Sequence, residues 1–368
     1  MNIPEGILKK EEQILLALRA LYRQHGYTQY KMRKFEEYDL YADNRDFLVS
    51  GSVITFHDTD GKLLALKPDV TLSIVRSGRD EPGTVQKVYY QENVYRVAGY
   101  SRSFREIMQA GVECIGEVGA CHLAETLLLA AKSLKVISDR SVLALSHLGA
   151  VSRLMENAGL GKEDQRLALS YIDRKSVHEL SALCSDKGVD AAASEKLLKL
   201  AGLSGSPGAV LPELLDLGCA DEASELERVT GALRGSGVYD SVRIDFSVVN
   251  DPGYYNGLVF RGYVDGIPER VISGGQYDRL MRKMGRQARA VGFAVYLDTL
   301  ERLESPSFAD ADVLLLYPED ADASEVLGAA RSLQAQGKSV SCMRNLPRGR
   351  RFGQVACLTK EGEVRYEP

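Results

Sequence analysis

Cysteine and histidine are too few and too scattered here to announce a metal centre. The six cysteines, at positions 114, 121, 184, 219, 342 and 357, form no CxxC pair, and the five histidines complete no zinc-ligand spacing, although Cys121 and His122 are adjacent. Free, mostly core thiols in a reducing compartment are the expectation. No run approaches the roughly 18 apolar residues of a membrane-spanning helix. The start, Met1-Asn-Ile-Pro-Glu-Gly-Ile-Leu-Lys-Lys10, lacks the apolar segment of a secretory leader, so the chain is expected to be soluble and cytoplasmic, with no membrane partner. Basic charge is also short: 46 Lys and Arg against 51 Asp and Glu leave a net charge of −5, no general reason to expect a polyanion partner. The local cluster Arg344, Arg348, Arg350 and Arg351 reads as a solvated loop or as a patch for an anionic ligand or acidic subunit. Neither a phosphate-binding glycine loop, nor a dinucleotide fingerprint, nor a Ser-His-Asp spacing is visible, so no cofactor is implied.

What is present is a globular composition, 45% apolar and 26% charged over 368 residues, enough for two or three domains. From Pro4 to Gly26 the apolar residues Ile14, Leu18, Leu21 and Tyr22 follow helical spacing. Residues 53–57 and 62–66 read as strands around the Asp60-Gly61 turn, followed by a short helix from Leu72 to Ser77 with Thr71 as its cap. Residues 85–97 and 106–116 read as long strands joined by a loop at Tyr100-Ser-Arg-Ser-Phe104, with Arg96, Arg102 and Arg105 giving the hairpin basic character. Helix follows helix from Ser146 to about Leu233, and then the β pattern resumes. This suggests a helical module inserted between two halves of one sheet. The expected organisation is a core first half at 1–139, a helical insertion at 140–237, a core second half at 238–305, and a small C-terminal α/β domain at 306–368. In that last segment, strand 313–317, a helix from about Ser324 to Gln336, and strand 339–343 make a βαβ unit, with a hairpin after it.

Three segments could hold a ligand. In Glu106 to Ile115, period-two alternation sets Gln109, Gly111 and Glu113 on one face, where a glycine between two polar side chains leaves a gap suited to an ammonium group. A half-exposed strand with a polar outer face explains the same pattern. Lys67-Pro68-Asp69-Val70-Thr71 adds a carboxylate and a hydroxyl at a strand end; Asp69 serves equally as a helix-start residue. Asp251-Pro252-Gly253 and Asn256-Gly257 are turn signals around Tyr254-Tyr255, whose rings make either a ligand floor or simple hairpin packing. Ser273-Gly274-Gly275-Gln276-Tyr277-Asp278 sets two glycines before a helix and reads as a tight turn.

Together these segments resemble the catalytic core of class II aminoacyl-tRNA synthetases, and within them the histidyl-tRNA synthetase family, over nearly all of residues 1–305. Leu66-Lys67-Pro68-Asp69-Val70-Thr71 looks like that family's Leu-Arg-Pro-Glu-Gly-Thr. Arg96 and Gln109 to Glu113 look like motif 2, Tyr254-Tyr255-Asn256-Gly257 like the histidine-specific motif, and residues 274–278 through 290–294 like the approach to motif 3. The resemblance implies an α+β fold: an antiparallel sheet with flanking helices, a helical insertion and a small C-terminal α/β unit. It also implies that Asp69, Thr71, Gln109 and Glu113 surround the α-amino nitrogen of bound histidine, with Tyr254 and Tyr255 at the imidazole side. Arg96 is a candidate anion or ligand contact.

The departures matter as much. By this alignment Asn250 replaces the arginine that opens the histidine motif, Thr299 replaces the ATP-binding arginine of motif 3, and Arg96-Val97-Ala98-Gly99 replaces Arg-Tyr-Glu-Arg. Losing one preorganised cation of this kind costs roughly 10²- to 10³-fold in rate. Residues for the amino acid kept and residues for ATP replaced is the pattern of a paralogous family, the regulatory subunits of ATP phosphoribosyltransferase. That resemblance implies a non-catalytic dimer in a hetero-oligomer with the short-form catalytic subunit, involved in feedback by L-histidine, and without tRNA, for which the C-terminal unit is short. An active histidyl-tRNA synthetase with a truncated C-terminus is the alternative.

Overall fold

The computed structural model describes residues 8–48, 53–97, 103–249, 254–302, 309–359 and 363–366, with backbone alone at 301–302. Pro4, Ala98, Gly99, Arg102, Asn250 and the Asp251-Pro252-Gly253 turn lie outside the described residues. The chain divides into two compact units, Lys10–Leu303 and one built on Glu304–Pro368.

The larger unit opens with α1 (Lys10–Gln24), which buries Ile14, Leu18 and Tyr22, one helical stripe. Gly26, at φ +80°, ends it. Then come β1 (Thr28–Gln29), β2 (Phe35–Glu37), α2 (Tyr38–Ala42), β3 (Thr55–His57), β4 (Leu63–Leu66), α3 (Thr71–Ser77), β5 (Val85–Val97), β6 (Phe104–Gly116) and α4 (Ala120–Ile137). The segment expected to be helical from 140 opens instead with a strand, β7 (Ser141–His147). Its continuous apolar run, Val142 to Leu145, is that of a sheet interior, and it pairs along its length with a strand more than a hundred residues later in the chain. Helices α5 (Leu148–Asn157), α6 (Lys162–Asp173), α7 (Val177–Asp186) and α8 (Ala191–Gly202) follow, then β8 (Ser204–Gly205), α9 (Pro207–Asp216) and α10 (Ala220–Gly231). The unit closes with β9 (Val242–Asp245), β10 (Leu258–Val264), β11 (Ile272–Gln276), α11 (Asp278–Lys283) and β12 (Arg289–Tyr296).

A nine-stranded sheet in the order β1-β5-β6-β12-β11-β10-β7-β9-β8 organises this unit. It is antiparallel from β5 across to β7 and parallel at β1–β5 and β7–β9, so the expected antiparallel sheet is mixed at its flanks. The tight-turn reading of Ser273 to Asp278 changes as well: Gly274 and Gly275 lie inside β11. A Cβ at Gly274 would meet the Gly292 carbonyl at 2.4 Å, so close strand packing rather than turning demands the glycine. One face of the sheet packs Tyr89, Val112 and Cys114 with Leu18 of α1 and Leu127 of α4. The other packs Val88, Tyr90 and Ile115 with Leu72, Tyr254, Tyr277 and Leu280. A small antiparallel sheet, β2-β4-β3, completes the unit.

The C-terminal unit holds β13 (Ala311–Leu316), α12 (Ala323–Gln334), β14 (Val340–Met343), β15 (Phe352–Leu358) and β16 (Val364–Tyr366). β13 and β14 are parallel around α12, and β15–β16 is antiparallel, a βαβ unit followed by a hairpin. Asp322 caps α12 by accepting from the Ser324 amide. All six cysteines are free, with Cys114, Cys184 and Cys219 buried. Among the described residues no helix is long and apolar enough to cross a membrane.

Candidate ligand-binding site

The alternation of β6 sends Gln109 and Glu113 to the same face, both buried. Glu113 sits at the centre of the group. Its Oε1 accepts from the Thr71 hydroxyl at 2.7 Å and its Oε2 from the Tyr277 hydroxyl at 2.6 Å. Gly292, directly across β12, leaves room for it: a Cβ there would lie 1.8 Å from Oε2. Burial outweighs both hydroxyl donors and pushes the carboxyl up to about 8. The gap expected beside Gly111 is filled. Tyr90, its cross-strand partner on β5, lays its ring there, with Cζ 2.5 Å from where a Cβ would stand.

Thr71 is the first residue of α3 rather than its cap; the N-cap position is Val70, and Asp69, just before it, accepts from the Leu72 amide in the first turn through Oδ1 at 2.9 Å. Burial raises its pKa, against backbone amides and the Arg96 charge. Thr71 is thereby free to face Glu113. Tyr254 and Tyr255 lie with ring centroids 4.5 Å apart, and Phe47 and Tyr277 close on Tyr254 at 5.8 Å each. Burial raises both phenols well above their ordinary range, and the charges of Asp69 and Glu113 add to it. Five of the expected residues thus converge: Asp69, Thr71, Glu113, Tyr254 and Tyr255. Gln109 stands further along the same face, between Glu92 and Tyr296 in the strand register. Its Nε2 is buried with no hydrogen-bond partner among the described residues. A buried amide donor left unpaired costs free energy, so a donor in this position suits an acceptor group on a ligand.

Arg96 donates from Nε to the Pro68 carbonyl at 3.2 Å and lowers the Asp69 pKa by its charge, so it holds the Asp69 turn. Lys67, fully buried, pairs with Glu92, whose other oxygen accepts from the Met32 amide at 3.1 Å. Thr299 donates to the carbonyl of Tyr296 at 2.7 Å and is occupied within its own turn.

Sequence reasoning missed Tyr277, Tyr90, Phe47 and the Lys67–Glu92 pair as neighbours of the site. A tyrosine two residues after Gly-Gly was the one local signal for Tyr277; Tyr90 meets the site through strand register and Phe47 through a turn distant in sequence. A cleft of about 620 Å³, lined by residues that include Lys135, Arg140, Asp240 and Tyr263, lies at the other end of β7 and β10 and shares none of these residues. Among the described residues no cluster of His, Cys, Asp and Glu is arranged to hold a metal.

The family model for histidyl-tRNA synthetase matches residues 4–300. A Desulfitobacterium hafniense protein named ATP phosphoribosyltransferase regulatory subunit is 31% identical over 316 residues, 83% of this chain and 81% of the relative. The chain belongs to the histidyl-tRNA synthetase family, among its ATP phosphoribosyltransferase regulatory subunits. An Oceanobacillus iheyensis relative of the same name is 27% identical over 350 residues, 92% of this chain and 86% of its own length. In fold, this regulatory-subunit chain is similar to a Bacillus halodurans protein described as an ATP phosphoribosyltransferase regulatory subunit/histidyl-tRNA synthetase, with TM-score 0.74, 24% identity, and 93% and 92% of the two chains covered. It is similar also to histidyl-tRNA synthetase from Nostoc sp., with TM-score 0.73, 17% identity, and 95% and 87% covered. A Thermotoga maritima ATP phosphoribosyl transferase complex contributes a third likeness, with TM-score 0.60, 19% identity, and 78% and 97% covered. These structures share the class II synthetase fold.

Proposed function

We propose that this chain is a non-catalytic subunit that binds L-histidine between Glu113, Asp69, Thr71, Gln109 and the Tyr254–Tyr255 pair. It is required for activity of a short-form ATP phosphoribosyltransferase catalytic subunit, and it takes part in feedback by histidine in the first step of that amino acid's biosynthesis. The chain works in the cytoplasm as a dimer within a hetero-oligomer and takes neither tRNA nor a cofactor. The observation that carries this reading is the contrast within one site. Carboxylates and a buried, unpaired amide donor suit an amino acid's ammonium and acceptor groups. The cations for ATP chemistry are replaced or redirected, Thr299 to its own turn and Arg96 to Pro68. Several relatives carry the regulatory-subunit name, which supports the partner assignment. Histidine shifts such a complex only by differing in affinity between its active and inhibited states.

Calorimetric titration with L-histidine, with and without ATP, followed by assay of the short catalytic subunit with this chain, tests the reading. Histidine binding without pyrophosphate release, together with activation of the partner, supports it. Pyrophosphate release from histidine and ATP would return the synthetase reading.

A further inference from the structure

The helical segment α5–α10 grips the pocket loop from both sides. On the entry side, the Phe246 amide donates to the Leu203 carbonyl at 3.2 Å. Lys175, held at φ +54°, reaches Asp245 at 2.9 Å, and Arg261 bridges the Val249 carbonyl and Asp173 of α6. On the exit side, the Leu148 amide at the start of α5 donates to the Gly257 carbonyl at 2.8 Å. His147 caps α5: its Nδ1 accepts from the Gly149 amide, so Nε2 carries the proton and donates to Glu225 of α10 at 3.2 Å. Arg153 of α5 pairs with Glu222, also of α10, at 2.9 Å.

A second strand of contacts returns from the sheet to α10. Asn256, next to the tyrosine pair, donates to Asp278 at 3.3 Å and accepts from the Arg279 amide at 3.2 Å. Arg289 of β12 pairs with Asp278 at 3.4 Å, and its charge also acts on Glu225. One set of contacts therefore runs from Glu225 through His147 and the α5 amide to Gly257, and the other from Asn256 through Asp278 to Arg289, whose charge is felt at Glu225. The Glu225 carboxyl is held below the usual carboxylate range chiefly by the His147 hydrogen bond, with Arg289 and Arg228 adding to it. None of His147, Glu225 or Arg289 belongs to the pocket. Through the Leu148 amide and Asp278 they connect to Gly257 and Asn256, the two residues that follow the tyrosine pair.

We propose that Glu225, His147 and Arg289 are positioning residues that set the Tyr254–Gly257 loop, so that filling the pocket and ordering α10 are coupled. The coupling to a ligand rests on the histidine reading above, whereas the positioning stands without it. Ligand that fixes Tyr254 and Tyr255 fixes Gly257 and Asn256, and through them the α5 start and the Glu225 side of α10. By reciprocity, whatever docks on the helical segment changes amino-acid affinity.

The test uses the full chain, amide hydrogen exchange and calorimetry, with Glu225→Ala, Arg289→Ala and the milder Glu225→Gln, which keeps an acceptor for His147. Without ligand, Glu225→Ala is expected to speed exchange at the Asn256 and Leu258 amides, and Glu225→Gln to restore part of the protection. Unchanged exchange there overturns the positioning. With L-histidine, the wild-type chain is expected to gain protection in peptides of α10, and Glu225→Ala and Arg289→Ala to bind it roughly 2- to 30-fold more weakly. Histidine bound with α10 unchanged overturns the coupling. No heat on titration of the wild-type chain overturns the histidine reading and the coupling with it, while the ligand-free exchange still decides the positioning. If Glu225→Ala fails to fold, Glu225→Gln and Arg289→Ala carry the same comparisons.

Discussion

Tyr277 donates its hydroxyl to Glu113 Oε2 at 2.6 Å, tying the residue after β11 to the middle of β6 across the intervening strand β12. Removing that hydroxyl leaves a buried carboxyl oxygen without its donor. Tyr277→Phe is expected to cost about 1–3 kcal/mol of stability, and Thr71→Val a similar amount. Urea unfolding of the two variants checks this, and wild-type midpoints would show that neither hydroxyl matters to Glu113.

Glu113 also makes stability depend on pH. Its carboxyl stands at about 8 in the fold against an ordinary 4.5. The folded chain thus keeps a proton that the unfolded chain has already lost. Stability from this group is full below pH about 4.5, falls as pH rises to about 8, and is level above, by at most roughly 5 kcal/mol. Glu113→Gln, neutral at every pH, is expected to flatten that slope. Denaturation at pH 5, 7 and 9 decides, and equal slopes in the two proteins refute the assignment.

Proton uptake or release follows the same group during binding. At pH 7 a carboxyl of this pKa is about 0.9 protonated. An ammonium group placed beside it favours the carboxylate, so L-histidine binding is expected to release close to one proton per site. Titration in buffers of different ionisation enthalpy measures this directly; heats independent of buffer would place the ammonium elsewhere.

Gly292 has no space for a side chain, since a Cβ would overlap Glu113 Oε2. Gly292→Ala is expected to destabilise by about 1–3 kcal/mol through forced displacement of Glu113, and to weaken histidine binding as well. Thermal unfolding and calorimetry read the two effects separately, and wild-type behaviour in both would show that the strand relaxes freely.

The buried Lys67–Glu92 pair predicts a non-additive result. Glu92→Gln strands a buried ammonium and is expected to cost about 3–5 kcal/mol. Adding Lys67→Met to it removes the unpaired charge, while the amide oxygen introduced at position 92 can still accept from the Met32 amide. The double variant is therefore expected to be more stable than Glu92→Gln alone. A double-mutant cycle by urea unfolding tests this, and additive losses would show that the pair is not coupled.

Part of the site was legible because strand geometry is local. Period-two alternation alone puts Gln109 and Glu113 on one face, and the helical stripe of Ile14, Leu18 and Tyr22 needs no partner to be recognised. The turn at Gly257, with φ +68°, follows from its residue type. The strand β7 was hidden among helices because its apolar run is short and its partners lie far along the chain. Gly274-Gly275 reads locally as a turn, and only the approach of β12 shows why the glycines stand in a strand.

By itself, then, the order of residues determined the helical stripe of α1, the long strands β5 and β6, and the shared face of polar side chains along β6, since each depends on neighbours within a few residues. Tertiary structure alone decided that Tyr90 fills the space beside Gly111, that Tyr277 rather than solvent meets Glu113, and that the helical segment reaches the tyrosine loop through His147 and Glu225. Those contacts join residues tens to hundreds of positions apart. Their energy arises from burial in a low-dielectric interior, which exists only once the sheet has closed around them.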